Sequence, residues 1–122
     1  MPKMKRDMNL ARRIMIESEK QETSQQISPS DIKGFTEEEV SYHVMLLDEA
    51  GLLVGINNSS ANDTYWFADR LTWQGHEFLE AARDNTRWEQ AKKIVLEKGG
   101  GMAFDVLKAV LVKLMTETVL GK

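Results

Sequence analysis

The sequence predicts an α+β fold in which helix dominates. Five segments repeat apolar residues at helical spacing, and one pair of short β-rich runs, "LLVGI" and "TYWFADRL", flanks a polar turn. Strong capping signals bracket the segment between Thr36 and Gly51. The 122 residues suffice for one core, and 16 Lys/Arg against 19 Asp/Glu leave a net charge of −3. The absence of cysteine excludes disulfides, thiolate metal sites and cysteine nucleophiles.

The first helix is expected over Met4 to Lys20. At about 100° per residue, Met4, Met8, Leu10, Ala11, Ile14 and Met15 share an apolar arc, into which Asp7 projects. Lys5, Arg6, Arg12, Arg13 and Lys20 lie opposite, as a basic face. "QETSQQISPSDIKGF" is polar and holds Pro29 and Gly34, which predicts a loop with a short edge strand near Ile27. Thr36 then caps a second helix, Glu39 completes a capping box, and Gly51 stands where a left-handed C-terminal cap belongs.

"LLVGI", the loop "NNSSAND" and "TYWFADRL" read as an antiparallel hairpin; alternation places Tyr65 and Phe67 on one face and Trp66 on the other. Thr72 caps "WQGHEFLEAARD", where Gly75 lets the face of Phe78, Leu79, Ala81 and Ala82 approach the sheet closely. A helix from about Thr86 to Lys98 buries Trp88, Ala91, Ile94 and Val95, and "GGG" at 99–101 ends it. The final segment, 102–120, is a helix with more apolar surface than one contact covers, which predicts a homodimer through 103–120. This order is that of a winged-helix-like core (helix, short strand, helix, β-hairpin) with additional C-terminal helices. The middle helix of such a fold is reduced to the "SPSDIKG" turn. One domain over 1–122 is expected, with 1–83 as core and 84–122 as helical extension.

Four segments, "MKRDMNLARRIMIE", "FTEEEVSYHVMLLDEAGLLVG", "RLTWQGHEFLEAARDNTRW" and "GGGMAFDVLKAV", resemble in order and spacing the family catalogued as domain of unknown function 2513. The resemblance covers nearly the whole chain, and LTWQGHEFL is its most specific part. It implies a single compact domain and a small bacterial protein often carried by phages and prophages. It assigns no activity to particular residues.

Charge distribution bounds the partners. Residues 1–20 carry six Lys/Arg against three acids, whereas residues 21–66 carry one lysine against eight acids. On the second helix, Glu37, Glu38, Ser41, Tyr42, Met45, Asp48 and Glu49 lie opposite Val40, Val44 and Leu47. A recognition helix needs Arg, Lys, Asn or Gln toward base edges, and these four carboxylates would repel phosphate. The loop adds Asp63 and no cation. The face is therefore expected to dock a protein, with Tyr42 and Met45 supplying contact area and the acids steering toward a basic partner. Nucleic acid is the less favoured partner: a DNA-binding regulator would track the phosphate backbone with the basic face of the first helix.

Catalysis is not expected. His43 lies on the apolar side of its helix and, once buried, requires a hydrogen-bond partner. Two pairings compete for Asp7: His43, or the cluster of Arg70, Trp73 and His76. Either is expected as a buried polar network. No serine or lysine stands in a nucleophile's context, "GGG" lacks the lysine and hydroxyl of a phosphate loop, and neither histidine belongs to a metal motif. The opening residues interleave charge with apolar side chains, and no stretch offers about 18 uncharged apolar residues. The expectation is a cytoplasmic, non-enzymatic regulatory or interaction protein without cofactor, metal or membrane partner.

Overall fold

The computed structural model describes residues 5–21, 26–58, 65–98 and 103–119. Helices α1 (Met8–Glu19) and α2 (Glu37–Glu49) precede strands β1 (Leu53–Asn57) and β2 (Trp66–Leu71). Helices α3 (Trp73–Ala82), α4 (Asn85–Glu97) and α5 (Phe104–Val119) follow. The protein is α+β and mostly α. It divides into two compact units, Met1–His76 and Glu77–Lys122, the division falling inside α3.

In the first unit, α1 starts at Met8 rather than Met4, which lies outside the described residues. The cause is Asp7. Its backbone is extended (φ −118°, ψ 108°), and its Oδ1 accepts the N–H groups of Asn9 at 2.9 Å and Leu10 at 3.3 Å, which makes it the N-cap. The apolar arc then works as its spacing requires: Met8, Leu10, Ala11, Ile14 and Met15 are buried, and the helix packs on α2 and β2. Ser18 is buried too, because its hydroxyl donates to the Ile14 carbonyl at 2.8 Å.

Ile27 exchanges both backbone hydrogen bonds with Ala68, at 2.8 and 2.9 Å, so the edge strand is a single bridge. A short 3₁₀ turn, Pro29–Asp31, follows the bridge; Asp31 Oδ2 accepts the Ser28 N–H at 2.9 Å. The capping box of α2 is complete, with Thr36 Oγ1 accepting from the Glu39 N–H at 3.1 Å and Glu39 Oε1 from the Thr36 N–H at 2.9 Å. Such caps contribute about 1 kcal/mol. At the other end Gly51 takes φ +75°. Its N–H reaches the Asp48 carbonyl and the Leu52 N–H the Leu47 carbonyl, both at 3.0 Å. These are the paired bonds of a Schellman cap.

The hairpin is antiparallel, and its register slips between Val54↔Arg70 and Gly55↔Ala68, leaving Asp69 as the extra residue of a β-bulge. The bulge explains why Ala68 and Leu71, three apart, are both buried. The hairpin loop at 59–64, including Asp63, lies outside the described residues. Thr72 Oγ1 accepts the Gly75 N–H at 3.0 Å and donates to the Gly51 carbonyl at 2.5 Å, tying the start of α3 to the end of α2. The close approach at Gly75 is to the Leu52 backbone: a Cβ there would lie 1.8 Å from the Leu52 oxygen.

The second unit is built around Phe78 and Trp88. Phe78 meets Trp88 edge-on, with centroids 6.4 Å apart, and lies tilted against Phe104 at 4.9 Å. Asp84 caps α4 by accepting the Arg87 N–H at 2.8 Å. Arg87 in turn closes α3, donating to the carbonyls of Ala81 at 2.7 Å and Glu80 at 3.2 Å. Along α5, which packs on α4, Leu107 and Leu111 are fully buried while Val106 and Val112 are exposed. The glycines at 99–101 and Leu120 lie outside the described residues.

Candidate functional site

The outer face of α2 is narrower than its helical projection suggests. Ser41 is buried and accepts the Trp66 N–H at 2.8 Å, so it docks the hairpin instead of facing solvent. Asp48 is half-buried, and its Oδ1 accepts the Gly55 N–H at 2.9 Å. Both stand on the shoulder of the apolar arc, against which β1 and β2 pack. What remains is one stripe. Glu38, Tyr42, Met45 and Glu49 are spaced i, i+4, i+7, i+11 and fall within about 60° of one another, opposite Val40, Val44 and Leu47. Glu38 and Glu49 are exposed at its two ends, Glu37 is exposed beside it, and Tyr42 and Met45 are half-buried between them.

The expected polar network divides into two places. Asp7 does meet His43, but through its backbone: the Asp7 N–H donates to His43 Nε2 at 2.7 Å, while its carboxylate caps α1. On the other edge of the ring, His43 Nδ1 lies 2.7 Å from the Glu39 carbonyl. A backbone N–H can only donate and a carbonyl can only accept. The hydrogen of the ring therefore sits on Nδ1. With 2% of its surface exposed and both nitrogens bonded, His43 locks α1 to α2 and is withdrawn from chemistry.

Arg70, Trp73 and His76 do not join that network. All three are exposed, Trp73 at 78%. The bulge at Asp69 and the cap at Thr72 turn the start of α3 so that Gly75, not its neighbours, faces the interior. His76 Nδ1 instead stands 3.9 Å from Glu19 Oε2 across an open cleft, which Asp69 and Arg70 also line. Glu19 and Asp69 carried no sequence signal, since a bulge has no local pattern that marks its extra residue.

On the basic face, Lys5, Arg6 and Lys20 are exposed and Arg12 is half-buried. Arg13 and Lys20 both converge on Glu17, at 3.4 and 3.6 Å, so part of this charge is compensated within α1.

Residues 5–101 match the family described as "Hypothetical protein (DUF2513)", a span from the approach to α1 through the end of α4. The chain belongs to that family. An "Uncharacterized protein" of Haemophilus influenzae is 40% identical to this DUF2513 chain over 108 residues, covering 88% of it and 92% of the relative. No solved structure matches. The α2 stripe and the α1 cleft both lie within the matched DUF2513 span, whereas α5 lies beyond it. Among the described residues no group of three or more His, Asp or Glu is placed to hold a metal ion, and no helix is long and apolar enough to cross a membrane.

Proposed function

We propose that this DUF2513 protein is a non-enzymatic, winged-helix-like regulatory or interaction protein that docks a basic protein partner through the Glu38–Tyr42–Met45–Glu49 stripe of α2. In this reading it is a cytoplasmic protein of phage or prophage origin. The stripe carries the proposal. It combines aromatic and thioether contact area at its centre with carboxylates at its ends, an arrangement that suits a partner patch rich in Lys and Arg. The same carboxylates oppose a phosphate backbone. A homodimer through 103–120 belongs to the reading and draws on Val106 and Val112, which are 49% and 40% exposed.

The test is capture from a bacterial host lysate on immobilised protein at rising salt. A partner bound to the stripe is released as salt rises, is lost from the double variant Tyr42→Ala, Met45→Ala, and is kept by Lys93→Ala, a change on the exposed side of α4. If the double variant keeps every captured protein, the stripe is not the docking face. Duplex DNA supplies the opposing test: salt-sensitive binding that disappears in Arg12→Glu, Arg13→Glu would replace this reading with a DNA-binding regulator acting through α1.

A further inference from the structure

At the end of α1 the first unit opens a cleft of about 280 Å³, just below the usual range of pockets for drug-sized ligands. Its polar side chains come from three elements: Glu19 from the last turn of α1, Asp69 and Arg70 from β2, and His76 from the first turn of α3. Leu71 adds an apolar patch and Gln21 an amide at the rim. The groups differ in how they are held. Glu19 faces His76 at 3.9 Å. Arg70 makes one long bond, from Nη1 to the Leu71 carbonyl at 3.4 Å, which leaves the rest of its donor fork open. Asp69 has no partner among the described residues. As the extra residue of the bulge it is released from strand alternation, which is how a bulge re-aims a side chain.

We propose that this cleft binds a free basic amino acid. Two carboxylates and one guanidinium complement a ligand with two cations and one anion. The ammonium and side-chain cation of L-arginine or L-lysine would meet Asp69 and Glu19, and the α-carboxylate would meet the fork of Arg70. The limited volume suits a single amino acid, and the net acidic lining disfavours a phosphate or a dicarboxylate. This assignment is independent of the docking stripe on α2.

The experiment is an NMR titration of the whole protein at fixed pH, read at the His76 ring and at the Gln21, Asp69 and Arg70 amides. L-arginine or L-lysine is expected to shift these signals saturably. Asp69→Asn, which keeps the side-chain shape, should weaken L-arginine and agmatine alike by about tenfold or more, the factor carried by one charge-assisted hydrogen bond. Arg70→Gln should weaken L-arginine by a similar factor without weakening agmatine, which has no carboxylate for Arg70 to hold. Because Arg70 is exposed, this second variant retains the test if Asp69→Asn fails to fold. Absence of saturable shifts up to about 10 mM, binding of L-glutamate as tight as L-arginine, or full L-arginine affinity in both variants would overturn the proposal.

Discussion

Gly75→Ala is expected to destabilise the first unit, although alanine is much the better helix former. The added Cβ would stand 1.8 Å from the Leu52 carbonyl oxygen and 2.9 Å from its carbon, against an ordinary contact of 3.4–4 Å. The obstacle is backbone, fixed on both sides: the Leu52 oxygen accepts the Thr72 N–H at 3.1 Å, and the Leu52 N–H donates to the Leu47 carbonyl at 3.0 Å. Relief by roughly 1.5 Å therefore strains the Thr72 bond and displaces the first turn of α3. Overpacking costs about 1–3 kcal/mol and the lost bond about 1 kcal/mol, while helix propensity returns about 1 kcal/mol. The net is a loss of about 1–3 kcal/mol. In urea unfolding, with a slope of about 1–3 kcal/mol/M, the midpoint should fall by roughly 1 M with the slope unchanged. Gln74→Ala, at an exposed neighbour in the same turn, should stay within about 0.5 kcal/mol of the wild type. A Gly75→Ala protein as stable as the wild type would refute the close approach.

Three further outcomes follow from single hydrogen bonds. His43→Leu fills the same space but leaves the Asp7 N–H without its acceptor, so a loss of about 1–3 kcal/mol in thermal unfolding is expected; in the wild type, long-range ¹⁵N spectra should place the ring hydrogen on Nδ1, and a hydrogen on Nε2 would disprove the bond. Ser41→Ala should cost about 1 kcal/mol by orphaning the Trp66 N–H, whereas Glu38→Ala on the same helix should change stability by less than about 0.5 kcal/mol; equal effects would remove the distinction between shoulder and stripe. Arg87→Ala should speed amide exchange at the end of α3 and cost about 1–2 kcal/mol, and unchanged exchange would show that the Ala81 and Glu80 carbonyls do not depend on it.

Helix α2 was legible because every rule that defines it is local. Thr36 and Glu39 close its start, Gly51 closes its end, and the apolar arc of Val40, Val44 and Leu47 repeats within one face. The start of α1 was not, since Asp7 extends an apolar periodicity that continues back to Met4, and only the extended backbone at Asp7 distinguishes a cap from an interior residue. The hairpin was legible as two strands, but its bulge was not: a one-residue slip in pairing leaves no mark on composition or strand length yet decides where Asp69, Arg70 and the first turn of α3 point. The cleft depends on that slip, and so do the exposed positions of Trp73 and His76.

The same reasoning sharpens the candidate docking face. Ser41 and Asp48 stand roughly a quarter turn from the centre of the apolar arc, where helical spacing alone cannot separate core from surface. The hairpin decides the matter, because the N–H groups of Trp66 and Gly55 require acceptors where they meet α2, and a hydroxyl and a carboxylate at those two positions supply them. Asp48 is thereby committed to the fold, and the charge left for a partner is that of Glu37, Glu38 and Glu49. With Asp48 withdrawn from the flank of the face, Tyr42 and Met45 are bounded by carboxylates at either end. An apolar centre within a charged rim is the organisation that protein interfaces share, and here it arises because the backbone of the hairpin claimed the polar side chains on one flank of α2.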